Sequence, residues 1–337
     1  MPSPCTPATA LPPPPTRLSD ATRGWLLGCL GVTLFAMTLP MTRLAVGDAS
    51  APQLPPGFVT AGRAAVAGVL SVLYLLAVRA SRPPRALWPA LAVSALGTVV
   101  GFPLGLALAL REVPAMHAAV VTGVLPLATA LIAAAATRQR PSAGFWACAV
   151  LGCGLVLAFA AWQGGGALSV ADGWLLLAVL SAATGYVAGA RAAAVLPAQQ
   201  VICWVLVGSL PLTLPIALWL LPTAPVCASA WLGFGYTALF SMWLGFFAWY
   251  RGLALGGVMR VSQVQLLQPF LALLFAVPVL GEALDPLTVG FSLAIIAVVS
   301  WAGACRCAAG PEPLAPLHES LQRNLPCPGP WPAAPSG

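Results

Sequence analysis

Between residues 24 and 305 the sequence is a succession of ten apolar runs: 24–46, 57–78, 87–110, 114–137, 144–162, 173–194, 200–221, 229–250, 258–280 and 287–305. About 20 apolar residues is the length of a helix that crosses the hydrocarbon of a bilayer. Charged residues make up 7% of the 337 positions and hydrophobic ones 60%, whereas a soluble domain carries about 25% charged residues. These values speak against a soluble enzyme, a disordered chain and a nucleic-acid-binding domain. The net charge of +7 does not alter that, because basic residues diluted in apolar sequence make no phosphate-binding face. No nucleic acid is expected as a partner; a lipid bilayer is. The expected fold is an all-α polytopic membrane protein with ten transmembrane helices.

The distribution of arginine tests the count. All 15 basic residues are Arg. If the helices alternate in direction, basic loops should alternate with non-basic ones. Arg17, Arg23, Arg79, Arg82, Arg85, Arg138, Arg140, Arg191, Arg251, Arg260, Arg306 and Arg323 fall on one side, against Arg43 and Arg111 on the other. Ten spans with both termini cytoplasmic, in the cell (inner or plasma) membrane, are therefore expected. The first run has no early small-residue cleavage site and nine runs follow it, so it reads as a retained span and not a removed signal peptide. Residues 1–23, with Pro12 to Pro15, and 306–337, with eight further prolines, read as disordered Pro-rich tails.

The two halves resemble each other. Gly24-Trp25-Leu26-Leu27 opens the first run and Gly173-Trp174-Leu175-Leu176 the sixth. Farther on, an offset of 143 pairs Leu110 with Leu253, Met116 with Met259, Val121 with Val264 and Pro126 with Pro269. Each half, 24–162 and 173–305, holds five runs. Five is odd, so the halves must sit in opposite orientations. Such inverted repeats are a recurring plan of secondary transporters.

Several stretches give this pattern a family character. They are Trp25, Phe35, Pro40 and Arg43 in the first run, Gly62-Arg63-Ala64-Ala65 in the second, and Ala107-Leu108 and Ala115 before Pro126. In the second half they are Tyr250-Arg251-Gly252-Leu253-Ala254, Gln268-Pro269 and Gly281-Glu282. Over about residues 24–305 the chain resembles the drug/metabolite transporter superfamily, EamA-type permeases. The resemblance implies a ten-helix permease or exporter of small metabolites, amino acids or drugs, driven by a gradient and not by ATP. At the turn equivalent to Gly281-Glu282 the first half has Arg138-Gln139-Arg140 instead.

An ionisable residue inside the membrane is a functional candidate by default. Arg63 lies within the second run, and its planar guanidinium suits a carboxylate-bearing small-molecule substrate. Arg43, near Thr38, Pro40 and Thr42, is a candidate substrate contact or outer gate. Gln265 and Gln268 share a helix face, and amides in a span must find partners. Tyr186 and Trp243 are candidate cavity residues, whereas Trp249 and Tyr250, near the end of a run, suit an aromatic belt. His117 is a candidate for proton coupling, because its imidazole titrates in the useful range. Pro126 and Pro269, which free the carbonyls of Thr122 and Gln265, are candidate gating kinks. Gly185 and Gly189 have the spacing that permits close helix packing.

Nine Cys and two His form no metal-ligand pattern, and no cofactor is expected. The motifs of an intramembrane enzyme, such as Gly-x-Ser-x-Gly or paired intramembrane Asp, are missing from the sequence. A membrane-embedded binding or assembly subunit remains as the alternative to a transporter. A homodimer and a coupling proton complete the expected partners.

Overall fold

The computed structural model describes residues 19–137, 143–163, 169–193, 195–256 and 263–307. These form ten helical spans: α1 (Asp20–Val46), α2 (Pro56–Ala77), α3 (Arg85–Glu112), α4 (Ala115–Ala136), α5 (Ala143–Gln163), α6 (Val170–Ala193), α7 (Ala198–Trp219), α8 (Ala228–Gly252), α9 (Val264–Leu280) and α10 (Pro286–Cys307). Seven are long and apolar enough to cross a bilayer, while α5, α9 and α10 contain shorter apolar helices. Helix is the only regular structure that closes its own backbone hydrogen bonds without water or a neighbouring strand. Large apolar side chains such as Leu76, Val150, Leu218, Trp219 and Trp301 face outward, the arrangement hydrocarbon favours.

Local chemistry sets the ends and breaks. The helix starts at Asp20, inside the stretch 1–23 expected as tail, because the Ser19 hydroxyl accepts the Thr22 N–H at 3.2 Å and Asp20 stands in the positive first turn. α10 likewise runs two residues into the stretch 306–337 expected as tail, ending at Cys307; the rest of both Pro-rich stretches, and the turn Arg138-Gln139-Arg140, lie outside the described residues. α1 breaks at Met37, where Pro40 can return no N–H to the carbonyl of Ala36. α4 leaves helical geometry between Thr122 and Leu125, just before Pro126. The α-helical part of α9 begins at Gln268, with Pro269 in its first turn and a 3₁₀ turn (Gln263–Leu267) before it. α1 ends at Gly47, whose φ of 71° favours glycine. In the loop that follows, the Asp48 carboxylate accepts bonds from the Ser50 hydroxyl and the Ala51 amide, which hold it below the usual carboxylate range.

The packing obeys an inverted two-fold. If α1–α5 correspond to α6–α10, the contact α1·α8 is the mate of α3·α6, and both exist. The contacts α2·α7, α4·α9 and α5·α10 map onto themselves, and all three exist. Both α3 and α8 widen into a π-helical stretch at the corresponding place, Ala95–Gly101 and Thr237–Leu244. Such stretches are rare and cluster at functional sites. Backbone approach between the halves depends on glycine at both crossings. A Cβ on Gly97 of α3 would lie 2.7 Å from Gly185 of α6, and one on Gly252 of α8 would lie 2.8 Å from the backbone of Gly28 on α1.

Gly97→Ala should therefore destabilise the fold by about 1–3 kcal/mol, read as a lower unfolding temperature in detergent. Gly154→Ala, where a Cβ meets nothing within 4 Å, should leave it unchanged or slightly raised. Equal effects would contradict close packing at the crossing.

Candidate functional site

A cavity lies where the two π-helical stretches, α1, α2, α6 and α9 converge. Its polar lining is Arg63 of α2, Thr38 of α1, Thr98 of α3, Tyr186 of α6, Ser241 of α8 and Gln268 of α9. The apolar lining is Phe35, Phe102, Ala182, Met242 and Phe246. The cavity volume is only about 20 Å³. That is room for about one water centre, so this conformation is collapsed around the site.

Arg63 is 3% exposed. Its Nη2 donates to Ser241 Oγ at 2.9 Å, and Ser241 Oγ lies 2.8 Å from Thr38 Oγ1. Its Nε and Nη1 have no protein partner among the described residues. A buried guanidinium normally meets a carboxylate, since an uncompensated buried charge is costly. None is near. Asp20 pairs with Arg23, Asp48 with Arg43 and Asp172 with His117, while Asp285 caps α10 through Thr288. Glu282 accepts the backbone N–H groups of Ala115 and Met116 at 2.8 and 2.9 Å. Glu112 is exposed at the end of α3.

Of the residues singled out from sequence, Arg63, Tyr186 and Gln268 meet in this cavity. The others do not line it. Arg43 donates from Nη1 to the Leu110 carbonyl and pairs with Asp48, which ties α1 to the end of α3. Gln265 is half-buried in the 3₁₀ turn before Gln268. Trp243 follows Met242 on the π-helical stretch and packs instead against Phe247, ring centroids 4.9 Å apart and planes tilted by 49°. Trp249 and Tyr250 are not a belt: they are buried against Phe35 and Phe246. The glycines that line the α1·α8 crossing draw this end of α8 inward. Sequence reasoning missed Thr38, Thr98 and Ser241. Thr98 and Ser241 differ by the repeat offset of 143, which places a hydroxyl at one position of both halves.

A second polar cluster closes one end of the bundle. His117 Nε2 lies 2.6 Å from Asp172 Oδ1, and both side chains are buried. Asp172 and Ser169 cap each other reciprocally at the start of α6. Gly281, with φ 70°, turns the chain after α9 so that Glu282 reaches the N-terminus of α4. α4 belongs to the first half, and Asp172 and Glu282 belong to the second. This end is therefore held shut by charge-assisted bonds between halves.

Fold and site together define an integral membrane protein of two inverted helical halves around a polar chamber. The EamA-like transporter family model matches twice, over residues 22–160 and 169–304, and the chain belongs to that family. The "Uncharacterized transporter YdeK" of Bacillus subtilis (strain 168) is 42% identical over 285 residues, 84% of this chain and 98% of the relative. A solved structure titled "Crystal structure of protein" has the same fold: TM-score 0.59 at 22% identity, over 86% of this chain and 99% of that one. Family and relative both point to a transporter, one expected to carry a small molecule.

Glu282→Ala should speed hydrogen exchange of the Ala115 and Met116 amides by about tenfold or more, since a hydrogen bond to a charged group contributes about 1.5–3 kcal/mol. Amides of α5 serve as the unaffected reference. Unchanged exchange at Ala115 and Met116 would show that Glu282 does not hold this end shut.

Proposed function

We propose that the protein is a secondary transporter that exports a small carboxylate-bearing metabolite by alternating access between its two halves. The observation that carries this reading is the buried Arg63 guanidinium, with two unpartnered nitrogens, in a chamber lined by both halves. A ligand carboxylate supplies the missing partner, and a guanidinium fork matches it geometrically. Tyr186 and Gln268 complete the polar lining. The chamber's two hydroxyl-bearing π-helical stretches are related by the inverted repeat, as a site shared between exchanging halves requires.

Pro126 and Pro269 stand where α4 and α9 lose α-helical geometry, and these breaks serve as hinges. The His117–Asp172 pair lies at the closed end, away from Arg63. Protonation of His117 or Asp172 alters the attraction that holds this end shut, which gives a proton gradient a place to act. Arg43, bound to Leu110 and Asp48 at the same end, works at the gate and not in the chamber. The Arg distribution supports an orientation with this end on the outer side of the cell membrane and both termini in the cytoplasm.

Purified protein in liposomes with an imposed proton gradient should move at least one carboxylate from a panel of metabolites, amino acids and drugs. Arg63→Ala should lower that flux by about 100-fold, as the loss of a charge-assisted bond of about 3 kcal/mol implies, with near-normal expression. Wild-type flux by the variant would remove Arg63 from the site. His117→Gln should flatten the dependence of flux on the gradient while leaving counterflow exchange in place; an unchanged dependence would place coupling elsewhere.

A further inference from the structure

The chamber's charges discriminate among carboxylates. Among the described residues its lining has one cation, Arg63, and no acid. Each of the six acidic residues described stands at a helix end, and five of them have a partner there. The remaining two acids of the chain, Glu312 and Glu319, lie in the stretch 308–337, outside the described residues. An α-amino acid would bring an ammonium group into this chamber beside its carboxylate. That ammonium needs about three acceptors and a counter-charge, because an uncompensated charge at this depth is expensive.

The acceptors on hand, the Tyr186, Thr38, Thr98 and Ser241 hydroxyls and the Gln268 amide oxygen, are all neutral and supply no counter-charge. The Ser241 hydroxyl is shared between Arg63 and Thr38, and the Thr98 hydroxyl donates to the Ser94 carbonyl at 2.7 Å. A second carboxylate on the ligand would be equally stranded, since Arg63 alone would face both. The apolar part of the wall is three phenylalanine rings, Met242 and Ala182. Such a wall rewards an apolar body by removing it from water, at about 25 cal/mol per Å².

Resting on the transport reading above, we propose that the chamber, once opened from this collapsed conformation, takes a monocarboxylate with an apolar, ring-sized body and no ammonium group. The carboxylate lies on Arg63 and the body lies among Phe35, Phe102 and Phe246. The ammonium-bearing counterpart of the same acid is rejected by what the chamber lacks, not by its size.

The test compares four probes on the full chain: 3-phenylpropanoate, L-phenylalanine (which adds only the ammonium), phenylsuccinate (which adds a second carboxylate) and 2-phenylethylamine (which has no carboxylate). Binding is read by thermal stabilisation in detergent and by counterflow in liposomes. 3-Phenylpropanoate should bind about tenfold or more tightly than each of the others, the scale on which an unpaired buried charge or polar group is penalised. Arg63→Gln should remove that binding. Should Arg63→Gln express poorly, Arg63→Lys keeps the charge without the fork and should weaken the acid about tenfold while retaining the order of preference. Equal or tighter binding of L-phenylalanine or phenylsuccinate, dependent on Arg63, overturns the monocarboxylate inference and leaves carboxylate transport standing. Binding of no carboxylate, or binding that ignores both Arg63 variants, overturns both.

Discussion

Hydrocarbon offers a polar group no partner, and the architecture follows from that. Backbone groups must close their bonds within each span, so the apolar runs become helices. Side chains must find partners in the protein or move to the ends. The acidic residues have moved to the ends: Glu282 caps α4, Asp172 holds His117, and Asp285 caps α10. What remains at depth is Arg63, with one nitrogen on Ser241 and two without a protein partner. A residue kept in so costly a state is where the next interaction belongs.

The inverted repeat explains how a site at that depth can be shared. α1 packs on α8 and α3 on α6, each through a glycine crossing that brings backbones into contact. α3 and α8 each carry a π-helical stretch, and the equivalent residues Thr98 and Ser241 both line the chamber. The symmetry is broken at the candidate site positions. α2 supplies Arg63, whereas its mate α7 supplies no lining residue. Glu282 reaches the start of α4, and the equivalent turn of the first half has arginines instead. In the transport reading proposed above, the two similar halves exchange conformations, and the unlike residues are the candidates for binding and for holding one end.

Much of this was legible in the sequence, because hydropathy and charge are local properties. The ten runs, the odd number per half and the positions of Pro126 and Pro269 need only residue order. Arg63, Tyr186 and Gln268 stood out because polar residues inside apolar runs are rare. What order could not give was rotation. Trp243 is adjacent to Met242, yet the π-helical widening shifts the face of α8, so Ser241 and Met242 line the chamber and Trp243 does not. His117 looked solitary because its partner, Asp172, is 55 residues away in the other half. Trp249 and Tyr250 read as a belt by their place in the run, but the close crossing of α1 and α8 buries them.

The most direct test is structural: determination of the protein by electron cryo-microscopy in lipid nanodiscs with saturating 3-phenylpropanoate. Ligand density with its carboxylate within hydrogen-bond distance of Arg63 Nε or Nη1, and its ring among Phe35, Phe102 and Phe246, is the expected result. Density bound elsewhere, or an Arg63 whose free nitrogens are satisfied by a protein group in every state resolved, would contradict it.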